Sequence, residues 1–387
     1  MQKGYPCVIM RGGTSKAIFL RRADLPDDEG NREALILRIF GSPDKRQIDG
    51  LGGADPLTSK LAFIDKPESC RDICPDADIV YTFGQVEIDH PAIDWLSLCG
   101  NITSAVGVYA IEEGFVRPEA PLTRVRVYNT NLGRLLTVEV PVEDGSPVLA
   151  GDHVVPGVPG SGGRILVDFS ETAGAATGEV LPTGNPVDRL DVPGFGPLDM
   201  SLVDTGNAHV FIRARDIGLK GTESASEIDA DKGLRALLET IRGIGAHRMG
   251  MIADPARSRQ DSPAVPILGI VSPPAGYRTE LDGALVEADS TDLVSRLMFM
   301  QQVHKTYAAT STVCTGVAAC IPGTLINAVT RPHNRLEIRI GHPAGVIATE
   351  AEVEMHRDGP VVRRATLGRT ARRILKGEVY VPAAGED

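Results

Sequence analysis

The chain has 387 residues, 42% of them hydrophobic and 24% charged, the balance of a globular rather than a disordered protein and a length that suits two domains. A net charge of -11 argues against nucleic-acid binding, which needs a concentrated basic face, and it makes cations inside glycine-rich turns informative, because a small anion needs local positive charge in a repulsive protein. No apolar run reaches the roughly 18 residues that cross a bilayer, and the N-terminal apolar stretch is too short for a signal-peptide core, so the expectation is a cytoplasmic protein with no membrane partner.

In chain order, the first marked element is the turn Arg11-Gly12-Gly13-Thr14-Ser15-Lys16. Two glycines would let the backbone approach a ligand, and the hydroxyls, N–H groups and two cations suit a carboxylate or phosphate; a plain strand turn is the alternative. A second glycine-rich turn, Asp49 to Lys60, ends in Thr58-Ser59-Lys60 before the apolar strand Leu61 to Ile64. Burial and neighbouring cations would each lower the lysine pKa from about 10.4 and make Lys60 a usable base, whereas a surface lysine leading into a strand is the bland reading. Cys70, Cys74 and His90 lack the second pair that would complete a zinc site, so no metal or cofactor is expected and the six cysteines read as free thiols. Val80 to Ile88 is a strand candidate. Cys99-Gly100-Asn101 then leads into Thr103 to Gly114, small and apolar almost all round. A helix of that kind must be buried. A thiol at its N-terminus has its thiolate stabilised by unpaired N–H groups and the dipole, unless the cysteine is merely structural.

Arg124 to Tyr128 and Leu135 to Val140 alternate as a hairpin, and Leu166 to Phe169 is a further strand. Val154 to Gly163 and Leu181 to Pro197 read as loose. In Asp204-Thr205-Gly206-Asn207-Ala208-His209, Asn207 suits a carboxylate, and His209 is either a base or a satisfied structural histidine. Glu227 to Ile244 reads as one amphipathic helix with Leu234, Leu237, Leu238 and Ile241 as its stripe. Thr310 to Ala319 is a second all-round apolar segment, and the hydroxyls of Thr310, Ser311 and Thr312 at its start suit a second carboxylate. Leu336 to Ile340 should pair with Val346 to Val353. The tail cations Arg363, Arg364, Arg369, Arg372 and Arg373 read as a solvated helix face, ahead of a strand at Val379 to Val381. Together these features describe equivalent central helices in two related domains, each wrapped by a curved sheet. A polyanion would be held from both sides, and the chemistry inside would be proton abstraction next to a carboxylate.

At these residues the sequence resembles the PrpF family, which includes 2-methylaconitate isomerase, 3-methylitaconate isomerase and 4-oxalomesaconate tautomerase. The stretches that carry the resemblance are Met10 to Leu20 (MRGGTSKAIFL), Gly41 to Ile64, Asp94 to Gly114 with its CGN motif, Val203 to Ile212, and Arg369 to Pro382. It implies an α+β, diaminopimelate-epimerase-like fold of two similar domains, each a mixed sheet around a central helix. We expect these at 1-185 and 186-374, the first completed by the C-terminal strand 375-387, with the active site in the cleft between. The implied activity is a cofactor-independent 1,3-allylic isomerisation of an unsaturated di- or tricarboxylic acid. Lys60 matches the family lysine regarded as the catalytic base, Cys99 a cysteine of debated role, and Ser15 and Lys16 the residues expected to bind a substrate carboxylate. The turns add Arg11, Thr14, Ser59, Gly100, Asn101, Asn207, Thr310, Ser311 and Thr312 as substrate-binding candidates. The partner is thus a small polycarboxylate, with a homodimer left open.

Two departures from the family pattern bear on this. Epimerases of the superfamily use a cysteine on each side of the substrate, whereas here the second site offers Thr310, Ser311 and Thr312, with Cys314 inside the helix. Many relatives also carry Ser-Pro-Lys near Ser262-Pro263-Ala264-Val265, and this chain lacks that lysine. The alternatives are a racemase or epimerase of an amino or hydroxy acid, and a non-catalytic polycarboxylate-binding accessory protein.

Overall fold

A computed structural model describes residues 2–332 and 336–382. The chain divides into two compact units: residues up to Val154, Gly160–Val167 and the chain from Arg369 onward form one, and Val155–Pro159 with Asp168–Gly368 form the other. These divisions fall earlier than the expected 185/186 and 374/375, for local reasons. The 168–185 segment is tied to the second unit, where Gly174 donates its N–H to Asp204 O and Ala176 and Thr177 donate theirs to Asp204 Oδ2. Thr370 is tied to the first, where its carbonyl accepts from Gly13 N–H.

In the first unit, strand Gln2–Gly12 turns back antiparallel into Ser15–Arg21. That strand runs parallel to Lys60–Asp65, which is antiparallel to Ile79–Val86. Ile79–Val86 runs parallel to Leu122–Asn129, which closes the predicted hairpin with Arg134–Glu143. The last strand, Ala371–Pro382, lies antiparallel along Gln2–Gly12, with Gln2 opposite Pro382. It begins four residues before the expected strand 375-387, whose positions 383–387 lie outside the described residues. Helix Gly100–Glu112 packs against several of these strands and is buried from Gly100 to Ile111. Helix Glu29–Phe40, capped by Asp28 accepting from Asn31 N–H, covers the opposite face. Its Leu35, Ile36, Ile39 and Phe40 pack with Leu61 and Phe63. Alternate residues of Lys60–Asp65 therefore face different helices.

The second unit repeats this sequence of pairings. Gly196–Thr205 is antiparallel to Asn207–Arg213, which is parallel to Ile267–Ser272; that strand is antiparallel to Leu293–Phe299. Leu293–Phe299 is parallel to Glu337–His342, and Glu337–His342 is antiparallel to Gly345–His356, as predicted. Helix Ala309–Cys320 is buried up to Ala319. Helix Lys232–Arg248 covers the outer face through Leu238 and Ile241.

Three expectations need correction. Glu227 to Ile244 is two helices, Ala225–Ala230 and Lys232–Arg248, because Asp231 leaves the helical conformation and caps the second by accepting from Leu234 N–H. The loose stretch Leu181 to Pro197 contains strand Asp188–Val192, paired with the start of Gly196–Thr205. The tail arginines lie not on a helix but on strands Gly359–Arg369 and Ala371–Pro382. There Arg363 pairs with Glu354 and Arg373 with Glu112 and Glu113. Among the described residues no helix is long and apolar enough to cross a membrane.

Candidate active site

Lys60 opens its strand and sits opposite Gln85 in the antiparallel register. The two side chains point to the same face and meet, with Lys60 Nζ donating to Gln85 Oε1 at 2.6 Å. Gln85 is oriented for this because its amide nitrogen donates to the carbonyls of Pro56 and Ser59. Lys60 is 4% exposed, and its nitrogen lies 5.1 Å from the centre of the Phe83 ring. Burial pushes the amine pKa down, while nearby Cys99 and then Asp55 pull it up. Cys99 is thus the largest charge influence on this buried amine. Burial, and then Cys99, also raise the pKa of Tyr81, which lies two residues from Phe83 on the same strand face.

Cys99 is the N-cap residue of helix Gly100–Glu112. Its carbonyl accepts from Thr103 N–H and Thr103 Oγ1, and its sulfur approaches Ser15 Oγ at 3.9 Å. Asn101, also buried, donates from Nδ2 to Thr14 Oγ1 at 3.1 Å and Ser15 Oγ at 3.5 Å. The two glycines between Arg11 and Thr14 allow a close approach within the protein itself. A side chain at Gly12 would collide with Asn101 O, and one at Gly13, whose φ is +49°, would collide with the Asn101 amide. They bring the turn onto the helix N-terminus. Arg11 Nη1 donates to Thr370 O, Thr370 Oγ1 and Gly13 O, so this cation also clamps the turn. Lys16 is partly exposed, facing Gly53 across the second glycine-rich turn. Ser59 is fully buried beneath the site, its hydroxyl accepting from Gln47 Nε2.

Sequence reading missed one residue of this cluster. Arg369 is 2% exposed, and its Nε donates to Asn101 Oδ1 at 2.7 Å. Burial pulls its pKa down to about 9, with Cys99 acting in the opposite direction. Its place in a run of surface arginines concealed it. The one signal was its position within the Arg369 to Pro382 motif.

The remaining candidates fall in the second unit, at the equivalent place. Asn207 Nδ2 donates to Thr310 Oγ1, Ser311 Oγ meets His209 Nε2 at 2.7 Å, and Thr312 Oγ1 donates to Ala308 O. His209 is fully buried, stacked on Phe211, with burial lowering its pKa to about 4. Both ring nitrogens have partners, Asn207 O and Ser311 Oγ, as in a structural histidine. The repeat also permits a residue-by-residue comparison. Thr103 and Thr312 each donate to an N-cap carbonyl, so Ala308 stands where Cys99 stands in the first unit. Ala17 pairs with Lys60 two residues into its strand, as His209 pairs with Ile267, so buried Ile267 stands where Lys60 does. Lys60 and Cys99 thus both have apolar counterparts. At Ser262-Pro263-Ala264-Val265, Arg242 Nη1 donates to the carbonyls of Ser262 and Val265, and Ala264 and Val265 are buried.

Comparison with known proteins agrees with this architecture. A 3-methylitaconate isomerase of Eubacterium barkeri is 51% identical over 99% of this chain and 98% of its own. A 2-methyl-aconitate isomerase of Shewanella oneidensis is 38% identical over 96% of each chain. A crystal structure of methylitaconate-delta-isomerase, 50% identical, superposes with a TM-score of 0.81 over 98% of this chain and 96% of that one. The fold is the expected diaminopimelate-epimerase-like one and the chain is an isomerase. The PrpF protein model matches residues 2–382, and the chain belongs to the PrpF family.

Proposed function

We propose that this protein moves a carbon–carbon double bond within a small unsaturated di- or tricarboxylic acid of the methylitaconate or methylaconitate kind, and that Lys60 carries the proton. The observation that supports this reading is the buried Lys60 amine, held by Gln85 beside Cys99, with its pKa pushed down by burial. An amine whose pKa is brought toward the working pH takes a proton at a useful rate and can give it back. Lys60 Nζ forms a bond to the allylic proton. The C–H electron pair enters the conjugated system, and the charge spreads into a carboxylate as a dienolate. The Thr14 and Ser15 hydroxyls, Lys16 and the first N–H groups of helix Gly100–Glu112 are aimed at that carboxylate. The Lys60 ammonium then returns the proton to the far allylic carbon. Cys99, next to Ser15, shapes the field around the amine. The free cysteines fit a reducing, cytoplasmic setting.

The racemase alternative needs a second acid–base group across the substrate, and the equivalent N-cap of the second unit is Ala308. A simple binding protein has no use for a buried amine with a lowered pKa. The decisive experiment offers 3-methylitaconate and 2-methylaconitate to the purified protein and follows ultraviolet absorbance as conjugation changes. Wild type should turn over one of them. Lys60→Met should lose about 10²–10⁴-fold in kcat with its melting transition retained, and Cys99→Ser should lose less. Turnover by Lys60→Met at the wild-type rate would remove the lysine from the mechanism, and saturable binding of both acids with no absorbance change would leave only a binding protein.

A further inference from the structure

The Arg369, Asn101, Thr14 and Ser15 side chains form a chain of hydrogen bonds whose direction is fixed at one end. A guanidinium has only donors. The 2.7 Å contact of Arg369 Nε with Asn101 therefore requires the amide oxygen there and sends the amide nitrogen to the other side. On that side Nδ2 faces Thr14 Oγ1 at 3.1 Å and Ser15 Oγ at 3.5 Å. A hydroxyl whose oxygen accepts from the amide has its own hydrogen directed away from it. Arg369, Asn101 and Ser15 are each 2% exposed, so solvent does not scramble the order. The arrangement is held by the return of the chain, because Thr370 receives Arg11 Nη1 and Gly13 N–H immediately after Arg369.

We infer that Arg369 is a positioning residue that, through Asn101, makes Thr14 and Ser15 hydrogen-bond donors and so restricts this part of the site to an acceptor-only group, a carboxylate. The inference rests on the polycarboxylate reading above. It adds a selection rule: an amide or amine at this position presents hydrogens to a surface that is itself donating, and is rejected. Desolvated charged partners make such mismatches expensive.

The test uses tricarballylate, a saturated tricarboxylate with no double bond to move, and its triamide, with binding to the whole protein measured by calorimetry. In Asn101→Asp the new carboxylate accepts from Arg369 and from both hydroxyls. This turns their hydrogens inward, while the buried ion pair keeps the fold. Tricarballylate should bind Asn101→Asp about tenfold more weakly or worse, and the preference over the triamide should shrink by at least as much. Arg369→Met, which frees the amide to rotate, should weaken tricarballylate binding in the same direction, and Arg369→Lys should restore part of it. A folded Asn101→Asp that binds tricarballylate and discriminates against the triamide like wild type overturns the inference. So does loss of both ligands in equal proportion, the mark of a merely structural role. The two readings fail separately. A wild type that isomerises nothing but shows the Asn101→Asp reversal refutes the isomerase reading alone. Wild-type turnover with an Asn101→Asp KM equal to wild type refutes the relay alone.

Discussion

The buried amine of Lys60 costs the fold stability. In the unfolded chain its pKa is near the ordinary value of about 10.4, and in the folded state burial lowers it. Between those two values the unfolded chain binds more protons, so stability rises with pH across that window and the full destabilisation is present below the folded value. Lys60→Met removes the effect. The variant should therefore be more stable than wild type near neutral pH, and the gap should close as the pH approaches about 10. Urea unfolding followed by circular dichroism at both pH values checks this, and equal pH slopes for the two proteins would contradict it. At this scale the sequence was partly legible. Lys60, Cys99 and Ser15 could be picked out because each stands beside a turn or helix start whose local chemistry is distinctive. Arg369 could not, because its partner Asn101 is 268 positions away and no local pattern records such a contact. Gly12 and Gly13 were legible as glycines that something must approach closely, and Asn101 does so.

The two central helices were readable from their uniformly apolar composition, and they share a detail that composition alone does not reveal. Gly107 and Gly316 occupy the same place in each, eight residues past N-caps Cys99 and Ala308. A side chain at Gly107 would collide with Val138, and one at Gly316 with Thr349, in corresponding strands of the two sheets. Alanine is the better helix former by about 1 kcal/mol, yet overfilling such a contact costs about 1–3 kcal/mol. Gly107→Ala and Gly316→Ala should each lower the melting temperature, and a rise in either would show that the sheet yields more readily than the packing suggests. The elements that misled did so for identifiable reasons. The stripe from Leu234 to Ile241 was sound, but Asp231 satisfies helix N–H groups better as a cap than as an interior residue. The tail arginines fall on strands whose neighbours, among them Glu354, Glu112 and Glu113, lie in distant parts of the sequence.

The whole molecule is a duplicated plan in which Lys60 and Cys99 of one copy are replaced by the apolar Ile267 and Ala308 at the same places of the other. The second copy nevertheless sets a limit on acid tolerance. His209 is buried with its pKa lowered to about 4, against about 6.5 in an unfolded chain. As pH falls from about 6.5 to about 4 the unfolded chain takes up a proton that the folded one refuses, which removes about 3 kcal/mol of stability. His209→Gln should flatten this part of the stability profile, as measured by urea midpoints across that range. An unchanged slope would assign the acid sensitivity to other groups. Strand Ala371–Pro382 lies along Gln2–Gly12 for its full length, and Arg369 and Thr370 just before it contact Asn101 and Arg11 at the first glycine-rich turn. On a ribosome Gln2–Gly12 must therefore wait, unpartnered along this edge, until Ala371–Pro382 has been synthesised. The contacts that join Arg369 to Asn101, and Asn101 to Thr14 and Ser15, can form only once that return strand is reached, so a nascent chain stopped before Arg369 lacks this cluster.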